Sequence, residues 1–258
     1  MQRAFGILAA SFLLLVSSAS WAKPETQTPL EAWTLVHSLP HDHRDFTQGL
    51  VWVGERLFES AGNYGASNIA EKNPKTGKAI RRKALPAKQF AEGLTVHGNE
   101  LWQLTWREGL AHVYDLDLKP LRSYRYGGQG WGLTSNETEL IASNGSDRLF
   151  FIDPTRFAVT RFVQVTDQGA GVAQLNELEW VDGFIYANVW HSNRVAKIDP
   201  ATGTVLAWLD LSPLVKSVKG LAAEDVLNGL AYQREQKLLY VTGKHWPKLF
   251  AIRLQPNP

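Results

Sequence analysis

Five positions occupy the same place in a recurring phrase of this chain and yet carry unlike side chains. They are Gln48, Glu92, Trp131, Asn176 and Asn228, each one residue ahead of a Gly-Leu pair or its equivalent. A residue needed only for the frame would be alike in every copy. Divergence inside a repeated frame marks the position as one the frame leaves free for chemistry. A second set lies a short strand further on: Glu59-Ser60-Ala61, Trp106, Ser143-Asn144, Trp190 and Lys244 close segments that run back toward the same mouth. Together the two sets supply one ring carboxylate, one Lys, amides and three indoles. That is an apolar-walled pocket with a few convergent polar groups, the usual form of a site that binds or transforms a small ligand. One ring carboxylate, with Glu177 displaced by a position, is too few to hold a cation, so no metal site is expected. His41-Asp42-His43 reads as a solvated loop before the first copy rather than a metal pair. Amides at a channel rim also satisfy backbone groups, and Trp at strand ends also wedges blades apart. Residue types alone therefore leave a structural role open.

The elements that would position these residues follow from the repeat. The five copies are F-T-Q-G-L-V-W-V from Phe46, F-A-E-G-L-T-V-H from Phe90, G-Q-G-W-G-L-T from Gly128, Q-L-N-E-L-E-W-V from Gln174 and V-L-N-G-L-A-Y from Val226. Their anchoring leucines, Leu50, Leu94, Leu133, Leu178 and Leu230, are spaced by 44, 39, 45 and 52 residues. After each copy comes a polar turn such as Gly98-Asn99 or Asp182-Gly183. A second apolar strand follows, then a third that ends near Asp, then a fourth of alternating character such as Val159 to Val163. Short strands at even spacing between Gly, Asn and Asp turns predict four-stranded antiparallel blades. The expected fold is all-β, a five-bladed β-propeller. The last copy runs out after its third strand. Trp33 to Leu39, left over ahead of the first copy, is expected to close that blade and protect its edge. The 52-residue gap is accounted for by a helix over 214–227, an excursion on one face.

The first 22 residues are set apart from this frame. Arg3, the 13-residue apolar run Ala4 to Val16, and small residues at Ser20 and Ala22 spell a secretory signal peptide, too short to span a membrane. Residues 23–258 then form a single propeller domain, secreted or periplasmic. Its charge is +1 once Arg3 is removed from the +2 of the whole chain, which excludes a nucleic-acid footprint. No Cys is present, so thiol chemistry and a disulfide scaffold are excluded. A monomer without membrane or nucleic-acid partners is expected.

Taken in order, F-T-Q-G-L, F-A-E-G-L-T with L-T-W, G-W-G-L-T, L-N-E-L-E-W with A-N-V-W, and L-N-G-L-A-Y with T-G-K-H-W-P resemble the glutamine cyclotransferase family of plant and bacterial type. The likeness runs from about Phe46 to Phe250. It implies a five-bladed propeller, in agreement with the count above. It also implies an activity: the α-amine of an N-terminal Gln, on a peptide or protein, attacks its own side-chain carbonyl, ammonia leaves, and pyroglutamate remains. By this resemblance Glu92 is the catalytic carboxylate, and Gln48, Trp106, Trp131, Asn176, Trp190 and Lys244 shape the substrate site. No cofactor is implied. The rim departs from the family, at Ser143-Asn144-Gly145 and at Glu59-Ser60-Ala61-Gly62, which bears on substrate preference more than on chemistry. A non-catalytic propeller that binds an exported peptide or sugar is the alternative.

Overall fold

A computed structural model describes Met1 and residues 27–255 of the protein. The leader expected over residues 1–22 lies, apart from Met1, outside the described residues. Strand β1 (Trp33–Pro40) precedes the first full blade. Blade 1 is β2 (Thr47–Val53), β3 (Arg56–Ala61), β4 (Asn68–Lys72) and β5 (Ala79–Ala84). Blade 2 is β6 (Ala91–His97), β7 (Glu100–Thr105), β8 (Leu110–Asp115) and β9 (Pro120–Arg125). Blade 3 is β10 (Leu133–Ser135), β11 (Leu140–Ala142), β12 (Arg148–Asp153) and β13 (Ala158–Gln164). A two-residue hairpin, β14 (Thr166–Asp167) and β15 (Ala170–Gly171), leads to blade 4: β16 (Leu175–Val181), β17 (Phe184–Val189), β18 (Arg194–Ile198) and β19 (Val205–Asp210). After helix α1 (Ser212–Ser217) come β20 (Leu227–Gln233), β21 (Leu238–Gly243) and β22 (Lys248–Leu254) of blade 5.

Each blade is an antiparallel sheet in chain order, except the last. There β1 pairs with β22, from Trp33 opposite Leu254 to Pro40 opposite Lys248. The expected closure by an N-terminal strand is therefore realised. The residues just before β1 do more than the sequence suggested. Glu31 is buried, accepts from Tyr186 Oη and Lys197 Nζ at 2.7 Å each, and docks against the edge of blade 4.

The innermost strands explain the Gly-Leu phrase. A Cβ on Gly49 would lie 2.4 Å from the Leu94 nitrogen, and one on Gly93 would lie 2.4 Å from the Leu133 nitrogen. Backbone of the next blade passes too close at the axis for any side chain. Leu50, Leu94, Leu133, Leu178 and Leu230 all point into apolar seams between blades and are at most 1% exposed. The degenerate fourth copy has its own solution. Glu177 replaces Gly, and its Oε2 accepts the Leu230 N–H of blade 5 at 2.9 Å, so a carboxylate bridges the two blades.

The expected helix over 214–227 is corrected to six residues. Pro213 starts it, Val218 is already extended, and Gly220 adopts a φ of +77°. The apolar residues that suggested a long helix are spent otherwise. Leu214 and Val218 fill the seam between blades 4 and 5, and Leu227 opens β20. The segment is a buttress between blades. Its Asp225 carbonyl accepts the Trp246 indole N–H at 2.8 Å, beneath the loop that carries Lys244.

Candidate active site

Four of the five divergent ring positions fall inside β-bulges. Pairing slips between Thr47 and Gly49, between Ala91 and Leu94, between Leu175 and Leu178, and between Leu227 and Leu230. A bulge re-aims a side chain locally without disturbing the rest of the sheet. Here it releases Gln48, Glu92, Asn176 and Asn228 from the alternation of their strands. Trp131 lies just before β10, its N–H bonded to the Ser143 carbonyl at 3.0 Å. The second set is also a register position. Trp106, Trp190 and Lys244 donate their N–H groups to the carbonyls of Phe90, Gln174 and Val226 at 2.9, 2.9 and 3.0 Å. Each of those carbonyls belongs to the residue two places ahead of a ring position. In blade 1 the equivalent is Gly62, whose missing side chain makes room for the Phe90 ring.

Glu92, Gln48, Trp106, Trp131, Asn176, Trp190 and Lys244 all line one cavity of about 260 Å³ at the mouth of the channel. All seven residues expected from the sequence are thus brought together. Phe46, Phe90 and Asn63 complete the wall. The two Phe could have been found by the rule that found the ring. Two residues ahead of it, the copies read Phe46, Phe90, Gln129, Gln174 and Val226, again unlike. Gln129 belongs to the site as well. Its Oε1 accepts the indole N–H of Trp106 at 2.8 Å and of Trp131 at 3.1 Å, which clamps two walls together. Trp131 meets Trp190 edge to face at 5.8 Å, and Phe90 meets Trp106 at 5.6 Å. A larger cavity, about 380 Å³, opens at the far end of the channel around Glu179, but none of the expected residues reaches it.

The electrostatics centre on Glu92, which is 5% exposed. Its backbone is held by Ser60 Oγ, which donates to the Glu92 carbonyl at 2.5 Å. The contact to its carboxylate is Gln48 Nε2, long at 3.4 Å. Burial pushes the Glu92 carboxyl well above the usual range; the field of Lys244 opposes this and that of Glu108 adds to it. Burial among aromatic rings thus prevails over the cation. Lys244 is lowered in turn by burial. Its ammonium sits 4.7 Å from the Phe46 ring centre. Glu108 lies behind the wall, where it accepts from the Phe90 N–H at 3.2 Å and from Tyr64 Oη at 2.9 Å. A buried carboxylate with a raised pKa in an aromatic cleft is the arrangement expected of a proton-transfer group.

His41 corrects the expectation of a solvated loop. It is buried, with Nδ1 at 2.6 Å from the Trp246 carbonyl and Nε2 at 3.0 Å from Glu59. The sequence showed two exposable histidines and an aspartate; it did not show that closing the ring would bury the first.

Known proteins share the sequence pattern and the fold. The family model described as glutamine cyclotransferase matches residues 7–254. A glutaminyl-peptide cyclotransferase of Arabidopsis thaliana is 36% identical over 258 residues, covering 95% of this chain and 80% of that protein. The crystal structure of Myxococcus xanthus glutaminyl cyclase superposes with a TM-score of 0.84 at 38% identity, covering 88% of this chain and 98% of the other. With its five blades, its aromatic pocket and a match across nearly its whole length, the chain belongs to the glutamine cyclotransferase family of enzymes.

Proposed function

We propose that the protein cyclises N-terminal Gln of exported peptides or proteins to pyroglutamate, with Glu92 as the proton shuttle and no metal. The observation that carries this is Glu92 itself, a buried carboxylate without a close cationic partner on the wall of a small aromatic cavity. Ring closure is intramolecular, so the nucleophile is already tethered. The protein must hold the folded-back side chain and exclude water; such positioning is worth on the order of 7–11 kcal/mol in favourable cases. The indoles of Trp106, Trp131 and Trp190 supply the walls for that conformation.

The α-amine nitrogen bonds to the side-chain carbonyl carbon, and its proton passes to Glu92. The carbon–nitrogen bond to the side-chain amide then breaks as Glu92 returns the proton to the leaving nitrogen. Pyroglutamyl peptide and ammonia account for all atoms. A raised pKa brings Glu92 nearer to the α-amine, which titrates near about 7.7–8.0, and so eases transfer in both directions. The carbonyl oxygen gains negative charge on the way, and Gln48, Asn176 and Lys244 are the donors within the cavity that can meet it. Asn176 Oδ1 is buried without a protein partner and suits a substrate N–H. Every part of this proton and charge traffic has a side chain to serve it, so no step is assigned to a metal.

The expected leader directs the chain to a secreted or periplasmic location, where it acts as a monomer. No helix among the described residues is long and apolar enough to cross a membrane.

Ammonia release from a Gln-initiated dipeptide, with an Asn-initiated one as control, tests the activity. Glu92→Gln should fold and lose at least about 10²-fold in kcat; turnover near that of the wild type sinks the shuttle. Chelators should leave the rate unchanged. Loss on chelation, with recovery by one metal ion, would overturn the metal-free mechanism.

A further inference from the structure

We propose that Asn228 is a positioning residue that fixes which end of the Gln48 amide faces Glu92. A backbone carbonyl can only accept a hydrogen bond. The Thr47 carbonyl lies 2.9 Å from one terminal atom of the Asn228 side chain, so that atom is the nitrogen. The same nitrogen lies 3.1 Å from a terminal atom of Gln48, which is then the oxygen. The remaining terminal atom of Gln48, 3.4 Å from Glu92 Oε1, is therefore the NH₂ group. Amide ends are ordinarily assigned from their surroundings. Here one carbonyl sets the polarity of two amides in series. Thr47, Gln48, Asn228 and Glu92 are all buried, so bulk water does not compete.

Asn228 does not line the cavity; it acts through Gln48. Its own place is pinned from blade 4. The Gly229 N–H donates to Asn188 Oδ1 at 3.1 Å and the Leu230 N–H to Glu177 Oε2 at 2.9 Å, which holds the bulge in β20. With the amide oriented this way, Gln48 offers a donor to the Glu92 carboxylate and favours its proton-accepting form. A reversed Gln48 would offer a lone pair, which only the protonated acid can meet. The other groups that act on Glu92 are Lys244 from the loop after β21 and Glu108 from the loop after β7; the Tyr64 and Tyr126 hydroxyls stand near enough to be raised by its charge. None of these contacts Asn228 in the chain described.

The effect on turnover rests on the cyclotransferase reading; the amide orientation does not. The titration of Glu92 is therefore read directly, from the infrared carbonyl band of its protonated form, identified by its loss in Glu92→Gln. The proteins compared are the wild type, Asn228→Leu, Gln48→Leu and the double variant. Each single variant should raise the Glu92 midpoint by about one pH unit, as expected for a lost hydrogen bond to a charged group. The double variant should match Gln48→Leu alone. The acid limb of kcat/KM for a Gln-initiated dipeptide should move by the same amount. An unchanged midpoint in Asn228→Leu, or an equal further shift in the double variant, overturns the proposal. If Asn228→Leu does not fold, nitrogen-15 spectra of the wild type decide instead. The Gln48 NH₂ signal should move as Glu92 titrates, and an unresponsive signal overturns the proposal. A wild type that releases no ammonia defeats the cyclotransferase reading and leaves the midpoint comparison standing.

Discussion

Two buried glutamates on neighbouring blades are treated in opposite ways. Glu59 on β3 is 1% exposed and surrounded by partners. His41 Nε2 lies at 3.0 Å, Thr47 Oγ1 donates at 2.7 Å, and Lys72 Nζ lies at 3.2 Å and also pairs with Asp45. Burial pushes its pKa up, but His41, Lys72 and Thr47 more than offset this and bring it to about 2. Glu92, on β6, has one long amide contact and the field of a lysine, and burial prevails. The pairing has a place in the architecture. The His41 N–H donates to the Pro247 carbonyl and the His245 N–H to the Asp45 carbonyl, both at 3.0 Å. The network thus ties the start of blade 1 to the loop of blade 5 that carries Lys244, at the seam where the ring closes. A buried charge ringed by counter-charges serves the architecture; the buried acid short of them on the cavity wall is the one the proposed mechanism uses to move protons.

Substituting each glutamate by Gln separates the two roles, and the largest effect is expected at the seam. Glu59→Gln leaves Lys72 and His41 buried with too little negative charge. Breaking such a network costs about 3–5 kcal/mol, read from denaturant unfolding at pH 7. The loss should carry a pH signature. The folded pKa of Glu59 lies below its ordinary 4.5, so its contribution is present above pH 4.5 and is lost as pH falls toward about 2. The gap between variant and wild type should close over that window. A gap that is small at pH 7, or that does not change with acid, would mean that the seam does not depend on this charge.

Much of this contrast is legible in the sequence, but only one half of it. Glu92 stands in a frame that repeats five times, and a repeat shows which residues differ from their counterparts. The same rule, applied two positions upstream, would have produced Phe46, Phe90 and Gln129. Glu59 closes a second strand of the frame, but the frame marks it only as a rim residue; its partners His41 and Lys72 sit in no such frame. They meet because the chain ends must join, and a contact between residue 41 and residue 246 has no local signature. Helix α1 was over-read for a related reason. The apolar spacing of Leu214 and Val218 is real, but it serves the seam between blades 4 and 5, and Gly220 turns the chain away from a helix. The direction of the Glu92 shift needed the structure too, because it depends on how far Lys244 stands from the carboxylate.

The smallest expected effect gives the sharpest test of the contrast, because its sign is opposite. The pKa of Glu92 is raised in the folded protein. Between pH 4.5 and that raised value the folded state holds a proton that the unfolded state has released. Stability therefore falls as pH climbs through this window. Gln cannot ionise, so Glu92→Gln removes this term. Its Tm should match the wild type near pH 4 and exceed it increasingly as pH rises. Glu177 and Glu179 are also raised by burial and tilt both curves alike; the difference between variant and wild type isolates Glu92. Scanning calorimetry of the two proteins from pH 4 to 9 makes the measurement. A variant less stable than the wild type at pH 8 would mean that Glu92 is held by partners as Glu59 is, and the distinction between the two glutamates would fail. A variant that is more stable and inactive would show that the protein gives up stability at this position to keep a base there.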